Sequence, residues 1–115
     1  MNLRTPLLLV MALGLAQPAF AQLKPYTDYD TSSSVTSVST VHVDANMIDY
    51  YLEGIRGTWV ASSEAAKKLG QIESYSVYVS ELPLSGDFNV VLVTRVKSAA
   101  DLEPSKERYD AFMKA

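Results

Sequence analysis

The chain has no cysteine and a single histidine, His42. Disulfides are excluded, and so is a zinc site of the usual cysteine and histidine kind. Basic residues never cluster beyond a pair such as Lys67-Lys68. That argues against nucleic acid as a partner, because phosphate binding needs a concentrated cationic face. No glycine-rich run follows a strand and opens a helix, so the chain carries no nucleotide loop. Long apolar runs are also lacking. The sustained one, Leu7–Leu15, is far shorter than the ~20 residues that a bilayer span requires.

That short run has a meaning of its own. Arg4 supplies a positive start, Leu7–Leu15 an apolar centre, and Ala19-Phe20-Ala21 the small-x-small site of a signal peptidase. Residues 1–21 therefore read as a Sec-type signal peptide cleaved after Ala21. The expected address is periplasmic or secreted, with no membrane span after cleavage. About 94 residues remain, enough for one small domain, and losing Arg4 takes the formal net charge from −3 to about −4. Without cysteine, the domain must be held together by an ordinary core.

Gln22–Ser34 is polar and aperiodic and reads as a flexible leader. The domain is expected over 35–115. Val35–Val43, rich in Val, Thr and Ser, predicts a first strand. Asn46, with Asp49 three residues later, suits a helix start. From Met47 to Leu69, residues Ile48, Leu52, Ile55, Trp59, Ser62, Ala66 and Leu69 recur at steps of four and three, one stripe of a helix. Gly70 fits the residue just past its end. Gly54 and Gly57 each cost up to about 1 kcal/mol there relative to alanine, and they suggest close packing or a kink. Ile72–Ser80 and Phe88–Val96 predict two further strands joined as a hairpin across a turn-rich 81–87. Pro104 suits the first turn of a second helix bearing Tyr109, Phe112 and Met113.

The order is thus β-α-β-β-α, an α+β class with an antiparallel sheet and two helices on one face. A final strand is expected to be missing from this chain, or supplied from elsewhere. Val41-His42-Val43-Asp44 leads into the long helix, Trp59 sits on it, Leu69-Gly70 precedes strand two, and Asn89-Val90-Val91-Leu92-Val93 lies in strand three. Over about 35–115 this arrangement resembles the ferredoxin-like, dimeric α/β-barrel superfamily, which includes antibiotic-biosynthesis-monooxygenase-like, NIPSNAP-like and EthD-like proteins. The resemblance implies a βαββαβ unit whose sheets pair into a barrel with ligands inside. It implies no one activity, since the group spans cofactor-independent oxygenases, haem-handling enzymes and proteins without known catalysis.

Strand parity separates two faces. Val41, Val43, Tyr75, Val77, Val79, Phe88, Val90, Leu92, Thr94 and Val96 form the more apolar set, expected beneath the helices. Val38, Thr40, His42, Ser74, Ser76, Tyr78, Asn89, Val91, Val93 and Arg95 then form an open face. Its valines call for a partner: a homodimer mate through this face, or a small-molecule ligand. The ligand-binding candidates are His42, Tyr78, Asn89 and Arg95. His42, the only histidine, is the obvious candidate acid, base or ligand, with a strand-end imidazole bonded to a neighbour as the plainer reading. Arg95 suits a carboxylate or another anion, or a surface ion pair. Tyr78 either bonds a ligand or caps the valine patch. No catalytic constellation, metal-ligand spacing or cofactor motif is present in the sequence. The leading expectation is a non-catalytic dimeric or ligand-binding domain. The alternatives are a cofactor-independent oxygenase or haem-handling enzyme using His42 and Arg95, and an envelope protein acting through protein contacts of its Tyr26–Asp30 leader.

Overall fold

Three segments dominated by Val, Ser, Thr and Tyr form one antiparallel sheet, because β-branched and aromatic side chains fit a pleated, half-buried surface. The computed structural model describes residues 22–82 and 86–115. The expected signal peptide and cleavage site, and part of the turn between strands two and three, lie outside the described residues. Strands β1 (Val35–Val41), β2 (Ser74–Val79) and β3 (Val90–Val96) are arranged β1-β3-β2, with β3 in the centre. The β2–β3 pairing is the expected hairpin, in register Ser74↔Arg95 to Val79↔Val90. On its other side β3 pairs with β1, from Val35↔Val96 to Val41↔Val90. The fold is α+β: an open three-stranded sheet with two helices, one long and one short.

The long helix spans 48–68. It comprises α1 (Ile48–Ile55), a wider π-turn (Arg56–Val60) and α2 (Ala61–Lys68). A π-turn inserts an extra residue into the ladder and rotates everything after it. The predicted stripe holds through Ile48, Leu52, Ile55 and Trp59, all half-buried. Beyond it Ser63 is buried in place of the expected Ser62, Ala66 stays half-buried, and Leu69 is exposed. Gly54 and Gly57 have no atom within 4 Å of where a Cβ would stand. They mark the π-turn, not a close approach to the sheet, and the Thr58 hydroxyl donates back to the Gly54 carbonyl there (3.0 Å).

The helix ends as its sequence requires. Gly70 has φ +70°, its N–H donates to the Lys67 carbonyl, and the Gln71 N–H donates to that of Ala66. This pair of bonds is a Schellman close, satisfying carbonyls that would otherwise be orphaned. The helix start differs from expectation. Asn46 lies inside a short 3-10 turn (Ala45–Met47) that begins after Asp44, and neither residue's side chain caps it. Helix α3 (Lys106–Lys114) begins after Pro104, with Ser105 as N-cap accepting from the Arg108 N–H (3.3 Å).

The core is small. Val43, Val90 and Leu92 are buried, with Val41, Ile48, Tyr51, Ile55, Trp59 and Val77 packed against them. Trp59 meets Tyr75 edge to face, with ring centroids 5.8 Å apart, an arrangement worth about 0.5–1.5 kcal/mol beyond the area buried. The Tyr75 hydroxyl donates to Glu64 on α2 (2.8 Å). Arg108 anchors α3: its guanidinium reaches Asp101 (2.9 Å) and the Gln71 carbonyl (2.9 Å), and the Gln71 amide donates back to the Arg108 carbonyl (2.7 Å).

Residues 22–31 fall in a separate unit from Ser32–Ala115. Here the Lys24 N–H donates to the Asp28 carboxylate (2.7 Å) and the Tyr26 N–H to the Tyr29 carbonyl (2.7 Å). Tyr26 takes φ +62° to close this turn.

Candidate functional site

Each row of the open face runs across all three strands, because directly paired residues share a face. Thr40, Val91 and Tyr78 form one row; Val38, Val93 and Ser76 the next; Thr36, Arg95 and Ser74 the third. This is the face that strand parity sets opposite the helices. Its valine row ends in Val38, 58 % exposed, and the first row ends in Tyr78, 59 % exposed. Hydroxyls alternate with the valines, and Arg95 supplies the charge.

The candidate residues occupy two ends of this surface and one interior. Tyr78 lines a shallow hollow of about 210 Å³ together with Val91, Phe88 and Asn89. His42 lies just beyond the end of β1 and is exposed; among the described residues no hydrogen bond to its side chain is found. Arg95 is four rungs along β3 from Val91, about 13 Å at strand rise. It forms an ion pair with Glu73 (3.0 Å) and donates to the Ser34 hydroxyl (2.9 Å). The surface ion pair is therefore the arrangement present. His42 and Arg95 do not converge on one point.

Asn89 departs from its expected place. It is 2 % exposed and its amide grips the backbone of Val43: the Val43 N–H donates to Oδ1 (2.8 Å), and Nδ2 donates to the Val43 carbonyl (2.6 Å). Strand β3 begins only at Val90. Asn89 is thus free of the alternation that would have turned it to the open face, and it clamps the point where the chain leaves β1 for the helix.

A second depression lies on the helix side and was not anticipated. About 480 Å³ in volume, it is bounded by Ser37, Thr94 and Val96 of the sheet and by Leu102, Tyr109 and Phe112 before and on α3. A sequence signal for its rim did exist: Ser98 and Asp101 form a capping box ahead of the second helix. Tyr75, on the same face, is held above its ordinary ionisation range. Its hydrogen bond to Glu64 is the main cause, followed by desolvation and by the charge of Glu64.

Among the described residues, no group of three or more His, Asp or Glu side chains is placed to hold a metal ion. Nor is any helix there long and apolar enough to cross a membrane. No family model, curated protein or solved structure matches the chain.

Proposed function

We propose that this chain is an exported, non-catalytic domain of ferredoxin-like type whose open sheet face is its working surface, closed by a second copy of itself. The observation that carries this reading is a valine and tyrosine surface, with Val38 and Tyr78 exposed at its margins and the half-buried Val91 and Val93 between. An apolar patch on an otherwise polar surface marks an interaction site. The face is also weakly charged, so two copies can meet without bringing like charges together. The one cation on it, Arg95, is already paired with Glu73. Export to the periplasm or medium is the part of the proposal that rests on residues 1–21.

Sedimentation equilibrium of the chain from Gln22 onward tests the surface. Val93→Glu sets a carboxylate in the centre of the face and should halve the sedimenting mass while leaving the circular dichroism unchanged. A wild-type chain that sediments as a monomer and releases no small molecule on denaturation overturns the reading.

A further inference from the structure

Among the described residues, the outer edge of β1 has no strand beside it, since β1 ends the order β1-β3-β2. Such an edge offers alternate backbone N–H and C=O groups to any extended chain, and stable folds usually blunt it with lysine, proline or a bulge. None of these occurs here. The strand reads Val35-Thr36-Ser37-Val38-Ser39-Thr40-Val41, without charge or proline, and its five middle residues are exposed. The sequence is also a palindrome centred on Val38.

We propose that β1 is a self-pairing edge: two copies join β1 to β1, antiparallel, about a two-fold axis at Val38. The result is one six-stranded sheet in the order β2-β3-β1-β1-β3-β2. An antiparallel two-fold pairs each residue with its mirror position, and the palindrome then sets like against like. Val38 faces the partner's Val38, Ser37 the partner's Ser39, Thr36 the partner's Thr40 and Val35 the partner's Val41. Pairs of β-branched residues and of hydroxyls are favourable cross-strand neighbours, each contributing about 0.2–1 kcal/mol over alanine. Both helix layers fall on the same side, because opposed residues share a face. The two-fold also uses up both β1 edges, leaving neither free to propagate.

The helix side of the edge supports an added strand. Ser37 lines the 480 Å³ groove with Leu102, Tyr109 and Phe112, and a strand laid along β1 would run beside that groove. The other edge of the sheet lacks these features: Ser74–Val79 is not a palindrome, and Glu73 and Glu81 flank it.

This pairing does not depend on the open face, and the two are separable. Ser37 and Ser39 are on the helix face, so their substitution leaves the open face intact. Ser37→Lys with Ser39→Lys puts lysine opposite lysine twice. It should raise the dissociation midpoint about ten-fold. Ser37→Asp with Ser39→Lys sets Asp against the partner's Lys at both positions and should restore it. In the Val93→Glu background, where face pairing is removed, the wild-type edge should still give a dimer. A midpoint the same in both double variants overturns the edge and leaves the face reading standing. A midpoint moved only by Val93→Glu does the same.

Cross-linking decides the register independently, even where a charged variant fails to fold. Paired Cα atoms are about 4.5–5.5 Å apart, within disulfide reach. Val38→Cys, in the Val93→Glu background of this cysteine-free chain, should oxidise to a linked dimer. Thr36→Cys alone should not, and Thr36→Cys with Thr40→Cys should. Equal cross-linking by Val38→Cys and Thr36→Cys overturns the proposal.

Discussion

The two faces of the sheet are built from alternate residues of the same three strands, yet they meet different fates. On β3, Val90 and Leu92 are buried under the long helix, while their neighbours Val91 and Val93 remain half-exposed on the open side. Residue type does not separate them, since both sets are aliphatic. What separates them is the covering layer: the long helix contributes Ile48, Ile55 and Trp59 to one side only. Burial is therefore conferred by topology, and the aliphatic row that no helix covers stays half-exposed.

The comparison is broken most sharply by paired truncations on β3. Leu92→Ala should cost about 2–5 kcal/mol in urea unfolding. Val93→Ala, one residue away, should cost well under that in the isolated protomer. Near-equal losses would mean that the open face is packed as tightly as the core. Asn89→Ala tests the seam between β1 and β3. It strands the Val43 N–H and carbonyl, and an unsatisfied buried group costs about 1–3 kcal/mol, read in the same assay. The smallest effect concerns pH. Tyr75 on the helix face donates to Glu64, and its ionisation is pushed above the ordinary 10.0. A raised value means that the folded state holds the proton more tightly. The stabilisation is therefore complete below the unfolded value and is lost as pH rises through the folded one. Tyr75→Phe should lower Tm modestly near pH 8, with the deficit shrinking above about pH 10. A deficit that stays constant with pH would remove the bond as its cause.

Much of this was legible in the sequence. The β-α-β-β-α order follows from the change of period between Val35–Val43 and the Ile48, Leu52, Ile55, Trp59 stripe, although the first strand ends two residues earlier, at Val41. Within the strands alternation separates Val90 and Leu92 inside from Tyr78 and Val38 outside, but Val79 and Phe88, expected beneath the helices, are exposed at the sheet's end. Gly70 marks the helix end because only a residue tolerant of positive φ fits there. Three things escaped. The π-turn at Arg56–Val60 changes the residue count per turn, so Ser63 replaced Ser62. Asn89 lies one residue before β3, where parity has no authority. Arg108 and Gln71 are 37 residues apart, and their mutual bonds depend on where α3 lands, which no local pattern encodes.

The central position of β3 also sets an order of events in biosynthesis. β1 and β2 never touch each other within the sheet; each waits for β3. A chain made from its N-terminus exposes Val41 long before its partner Val90 exists. At roughly 5–20 residues per second, the intervening stretch takes several seconds to appear. Throughout that interval β1 lacks the strand it pairs with, and the uncharged Val35–Val41 is the strand left unpaired longest. The same strand that edges the finished sheet is thus the hazard of the unfinished one.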